Sequence, residues 1–178
     1  LSWHLQRPEI VYLLSQDIQA LHEAEQAEAV WLKQGDSYSD KRLSVHAFGS
    51  TDVGISFLVE VEGRRIFHAG DLNNWHWMEE SDEAEWKGYE RHFQHELAIL
   101  AAEVPCLDVA MFPVDPRLGK EYMRGPRQFV EQIKTTIVVP MHFDEAYQAA
   151  AAFRPTAQAC GAESLLLEHR GQRVNLFE

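Results

Sequence analysis

At 178 residues the chain suits a single domain with room for a sizeable core. Apolar residues make up 46% and charged residues 25%, a soluble globular balance, and no apolar run approaches the roughly 20 residues that span a bilayer. The 28 acidic and 16 basic side chains leave a net charge of −12, which argues against non-specific nucleic-acid binding, because that binding uses basic surface to displace phosphate counterions.

In chain order, Ile10–Leu14 reads as a buried strand, with Ser15 as N-cap of a helix over Gln16–Glu25. Ala29–Leu32 is a short strand closed by Gly35-Asp36. Leu43–Phe48 alternates like a strand, with Leu43, Val45 and Ala47 on one face. Gly49-Ser50-Thr51-Asp52 breaks it. The apolar runs Ile55–Val61 and Arg64–Ala69, joined by Glu62-Gly63, form a hairpin, since glycine takes the positive φ of such turns.

After an acidic, solvated stretch over Glu79–Glu85, the residues Trp86, Tyr89, Phe93, Leu97, Leu100 and Val104 recur at three or four. That spacing predicts an amphipathic helix to about Glu103. Leu107–Phe112 is a strand stopped by Pro113. A loop with Pro116 and Gly119 leads to a helix over Arg127–Lys134 and a strand over Thr136–Val139. A helix from Asp144 to Phe153 and a hairpin of Ser164–His169 with Arg173–Phe177 around Gly171 complete the chain. Strands alternating with helices, with hairpins in the middle and at the end, predict a layered α/β domain with a mixed sheet. The two cysteines, Cys106 and Cys160, lie among apolar or small residues. They read as buried free thiols in a reducing compartment, and with no signal-peptide pattern at the N-terminus this suggests a cytoplasmic protein.

Chemistry concentrates at strand ends. Asp71 follows Gly70 at the end of the hairpin's second strand, and His142 follows Val139-Pro140-Met141. Read alone, Asp71 is either a solvated turn cap or a ligand. If the two strand ends share one edge, a carboxylate and an imidazole converge as metal donors. His68 is as readily a packed, hydrogen-bonded side chain as a ligand. His92 and His95 lack the glutamate placement of HExxH or HxxEH sites and read as a solvated helix face. Arg117, Lys120, Arg124 and Arg127 form a local basic cluster, either simply solvated or an anion contact.

Three segments in order, Phe48–Glu60, Ile66–Asp71 and Val138–Phe143, together resemble the metallo-β-lactamase fold superfamily. The middle one resembles its strand-then-Gly-Asp motif and the last its Pro-x-His motif, and the similarity covers the chain from about residue 10. It implies an αββα sandwich with a metal site at one edge. It further implies a hydrolase, with zinc ions (two in the intact protein, or other divalent metals) and metal-bound hydroxide attacking an ester, lactone, amide or phosphodiester of a small-molecule substrate. Asp71 would bridge the metals and His142 would hold the second. Trp75, His76 and Trp77 would line the mouth, with Arg117 and Arg124 as anion contacts.

Two departures accompany the resemblance. The family's HxHxDH motif is nowhere in these 178 residues, and Leu1 is not an initiator, so the N-terminal portion and first strands are expected to lie outside the chain. The family's histidine ahead of the hairpin is also replaced by Gly49–Asp52, leaving Asp52, His46 or His76 as substitute ligands. A non-catalytic binding or scaffold domain of the same fold is the alternative. An exposed sheet edge would invite a homo-oligomer.

Overall fold

The computed structural model describes Trp3, residues 6–20 and residues 29–177. Its centre is a seven-stranded sheet whose strands lie side by side in sequence order. They are β3 (Ser37–Ser39), β4 (Leu43–Phe48), β5 (Ser56–Val61), β6 (Arg64–His68), β7 (Cys106–Pro113), β8 (Lys134–Met141) and β9 (Glu163–Ser164). From β3 to β6 neighbours run antiparallel, and from β6 to β9 parallel. The mixed sheet is the one expected.

The central hairpin turns through two residues, Glu62 and Gly63, both at positive φ, which matches the right-handed twist of the flanking strands. Parallel neighbours need a crossover, and helices supply it. The first helix, α1 (Glu83–Glu103), joins β6 to β7, and α2 (Arg124–Gln132) joins β7 to β8. Asp82 and Glu85 close a capping box that satisfies the free amides at the start of α1. Of the expected apolar stripe on α1, Phe93, Leu97 and Leu100 are fully buried, whereas Tyr89 is 45% exposed.

Leu58, Phe67, Ala110 and Val138 are neighbours across β5 to β8 and share one buried face with the helices in the principal core. Phe129 of α2 stacks on both Phe112 and Phe67, with ring centroids at 4.4 and 5.8 Å. On the opposite face Val109 is buried, but Val59, Ile66 and Ile137 are only half-buried. A second sheet pairs β1 (Tyr12–Ser15) in parallel with β2 (Ala29–Leu32), and it has two strands among the described residues.

Several elements differ from the sequence expectation. A 3-10 turn over Gln16–Ile18 follows β1 where a helix was expected, with no side-chain cap from Ser15. The rest of that expected helix, from residue 21, lies outside the described residues. β3 carries no apolar alternation and was not anticipated. Of the helix expected from Asp144 to Phe153 only α3 (Tyr147–Ala151) forms, and an unanticipated short helix, α4 (Arg154–Ala159), follows; the two do not merge because the Pro155 ring would clash with the carbonyl four residues back, that of Ala151.

The final hairpin does not form. Leu165 donates to the Val138 carbonyl, continuing β9 alongside β8, and the Gln172 side chain bridges to Glu168 and Leu166 in place of a backbone ladder. Cys106 and Cys160 are free but exposed rather than buried. No helix among the described residues is long and apolar enough to cross a membrane.

Candidate metal centre

Because β6, β7 and β8 are adjacent and parallel, their C-terminal ends open on one edge of the sheet. Ligand sites of open α/β sheets form at such ends. Asp71 lies three residues beyond β6, Asp115 two beyond β7, and His142 directly after β8. The 49–55 loop between β4 and β5 reaches the same edge, since Phe57 pairs with His68.

Outer strands of such a triplet lie about 10 Å apart, so their side chains must lean across β7 to meet. They do: His142 Nε2 is 2.8 Å from Asp71 Oδ1, with side chains 31% and 39% exposed. The backbone explains part of this reach. Gly70 bends the chain at φ +56, and a Cβ there would sit 2.9 Å from the Ile55 carbonyl oxygen, so glycine is required. His142 itself adopts φ +61, a conformation sparsely used by side-chain-bearing residues and held here by surrounding contacts.

The Asp71 carbonyl accepts from Trp75 Nε1 at 2.7 Å, and Thr51 Oγ1 lies between the carbonyls of Asp71 and Asn73. The Trp75 ring leans on His142 at 5.6 Å and stacks near-parallel on Trp77. Asp52, Asp71, Trp75, Trp77, Arg117 and His142 line one cavity of about 150 Å³. A larger neighbouring groove shares Arg117 and His142 and continues along Phe143 to Ala146.

Sequence reasoning missed Asp115. Its carboxylate is fully buried and accepts from the Arg117 backbone amide and guanidinium, while its Oδ2 lies 3.7 Å from His142 Nδ1. An acid just past an apolar strand, in the position Asp71 holds after β6, was the signal that could have found it.

Other expected residues lie elsewhere. His76 is buried, accepts from the Met78 amide at Nδ1, and meets the Glu121 carbonyl through Nε2 at 3.2 Å. With both ring nitrogens engaged by the backbone, it pins the loop rather than lining the cavity. His46 sits within β4, bound to Ser37 Oγ and near Glu60, away from the strand tips. Arg124 pairs with Glu90, which also receives Gln128, so it braces the loop through Asn74 instead of facing the cavity. Arg127 is 3.9 Å from Glu131 on its own helix, so the basic cluster does not converge. His68 accepts from the Gly70 amide through Nδ1. Its pKa is lowered mainly by desolvation and further by His142, against an opposing pull from Asp71.

Burial lowers the pKa of His76 as well; the Glu121 carbonyl partly offsets this, and Arg124 adds to it. The folded value therefore lies below the roughly 6.5 of the unfolded chain. The unfolded state takes up the proton first, so stability from the neutral imidazole is present above about 6.5 and is lost as pH falls through the folded value. His76→Gln keeps a donor and an acceptor but does not titrate. Its urea midpoint should fall less between pH 7 and pH 5 than that of the unaltered protein. Equal pH slopes would remove His76 from the acid sensitivity.

No family model matches the chain. A UPF0173 metal-dependent hydrolase of Symbiobacterium thermophilum is 30% identical over 141 residues, which are 75% of this chain and 54% of the relative. Igni18, a metallo hydrolase of Ignicoccus hospitalis, superposes with a TM-score of 0.60 at 15% identity, over 92% of this chain and 68% of that one. The chain shares the fold of this metallo hydrolase. The diiron β-hydroxylase CmlA of Streptomyces venezuelae shares the fold at a TM-score of 0.59 and 12% identity, over 88% of this chain and 38% of that one, so the fold alone does not fix the reaction. The chain spans about half the length of its curated relative.

For a chain similar to metal-dependent hydrolases the donor set is then the test. Asp71 and His142 offer an oxygen and a nitrogen side by side. Catalytic zinc takes three protein ligands and structural zinc four. Among the described residues no group of three or more His, Cys, Asp or Glu is placed to hold a metal ion, although Asp52 shares the cavity. These residues by themselves do not fit a complete centre.

Proposed function

We propose that this chain is the part of a metal-dependent hydrolase that carries Asp71 and His142, with the remaining donors coming from residues other than those described. The meeting of two strand tips at 2.8 Å, on the edge where such sheets bind ligands, carries the reading. Similarity to a metal-dependent hydrolase supports it. Oxygen and nitrogen donors suit zinc, and also iron or manganese. The substrate in this reading is a small molecule with an ester, lactone, amide or phosphodiester bond. Trp75 and Trp77 wall its site and Arg117 meets an anionic group. Free thiols suit a cytoplasmic setting.

The test begins with the codons ahead of Leu1, where an in-frame HxHxDH is expected. The polypeptide so encoded should carry at least one equivalent of zinc, iron or manganese by elemental analysis and should cleave a member of a phosphodiester, lactone and thioester panel. A genuine start at Leu1, with no metal retained, would overturn the reading. The incomplete donor set favours a second one in that case, a binding or scaffold domain of the same fold.

A further inference from the structure

We infer that Asp115 is a positioning residue, a buried carboxylate that holds the His142 ring with Nε2 turned towards Asp71 and fixes Arg117 beside it. The inference concerns the same site as the proposed hydrolase and rests on that reading only for its metal-binding arm. Asp115 is fully buried at the tip of the strand between the two that carry Asp71 and His142. Its Oδ1 is committed to Arg117, accepting from the backbone amide at 3.0 Å and from Nε at 2.9 Å. Its Oδ2 takes the guanidinium Nη2 and is also the atom 3.7 Å from His142 Nδ1. One carboxylate thus has two outlets, and one faces the imidazole edge opposite Asp71. The 3.7 Å separation is an ion-pair distance, and such contacts often tighten only when the partner atom is engaged.

The ring needs a brace. His142 follows β8 in a left-handed conformation, and among the described residues the nearest acidic group to its Nδ1 is Asp115 Oδ2 at 3.7 Å, beyond hydrogen-bond length. A ligating histidine is commonly oriented by a carboxylate on its other nitrogen, and loss of that partner costs about 10- to 100-fold in metal affinity. Trp75 supports one side of the ring through a tilted contact at 5.6 Å, which does not distinguish the two nitrogens.

Asp115→Asn removes the charge and one of the two acceptors. Arg117 donates to both oxygens, so in either orientation the NH2 group opposes its N–H groups. The carboxylate that faces His142 Nδ1 is lost in both cases. In proton NMR of the chain, Asp115→Asn should weaken the His142–Trp75 ring cross-peaks. In calorimetry with zinc alone, it should lower affinity about 10- to 100-fold. Arg117→Ala should leave the cross-peaks in place and zinc affinity within about twofold, since it spares the carboxylate.

Should Asp115→Asn not fold, Asp115→Glu keeps the charge and the arginine pair while displacing the carboxylate, and it should show the same loss of cross-peaks. Unchanged His142 cross-peaks in the aspartate variants would overturn the inference, as would equal loss in Arg117→Ala. If the unaltered chain binds no zinc, as its incomplete donor set allows, the hydrolase reading stands or falls on its own test and the cross-peaks alone decide the role of Asp115.

Discussion

On the proposed hydrolase reading, Asp71→Ala and His142→Ala should each lose bound metal and lower kcat/KM for hydrolysis by about a thousandfold. At roughly 1.4 kcal/mol per factor of ten that is ~4 kcal/mol of transition-state stabilisation, the scale expected when a metal's charge is removed from a developing anion. Stability should barely change. Both side chains are about a third exposed, and an ion pair in that setting is worth roughly 0–1 kcal/mol. A large loss of activity beside a small shift in melting temperature therefore points to the site and not to unfolding. Elemental analysis decides the matter: metal retained in both variants at the unaltered stoichiometry would sink the assignment of Asp71 and His142 as donors.

The legible part of this site is the part written locally. An apolar run ending in Gly70-Asp71, and another ending in Pro140-Met141-His142, can each be read from a few neighbours. That they meet depends on β7 lying between β6 and β8, a pairing no local signal specifies. The same gap hid Asp115, whose role exists only once β7 is the middle strand. His76 misled for a different reason. It lies in an irregular loop where neither the helical nor the strand period says which way a side chain points, and the fold turned it inward to Glu121 and Met78.

Arg124 was read as part of a cluster by sequence proximity. The helical twist of α2 and the packing of α1 set it against Glu90 instead. At the C-terminus, Gly171 did mark a turn, at φ +76, but the arms around it were too poor in paired backbone to become strands. The alternation of strands and helices was readable from periodicity because burial enforces it over many residues. Side-chain direction in loops depends on single contacts, which sequence pattern does not carry.

Phe112→Ala should be the most damaging core substitution near the site. Phe112 is fully buried in β7, stacks on Phe129 at 4.4 Å, and meets Phe93 edge-on at 6.4 Å. Truncating a buried phenylalanine costs about 3–5 kcal/mol, and the aromatic pairs themselves account for roughly 0.5–1.5 kcal/mol each. Set against a typical total of about 5–15 kcal/mol, that removes at least roughly a fifth of the stability and should lower the melting temperature by about 10 °C.

The effect should reach the site. Phe112 lies three positions before Asp115, and the cavity would open directly beneath the tip that holds Arg117 and faces His142. Phe112→Leu fills most of the space and should cost markedly less, near 1.5 kcal/mol. Urea unfolding of the three proteins checks the ranking. A loss below about 1 kcal/mol for the alanine variant would mean that Phe129 and Phe93 close over the gap, and that the β7 tip does not depend on this packing.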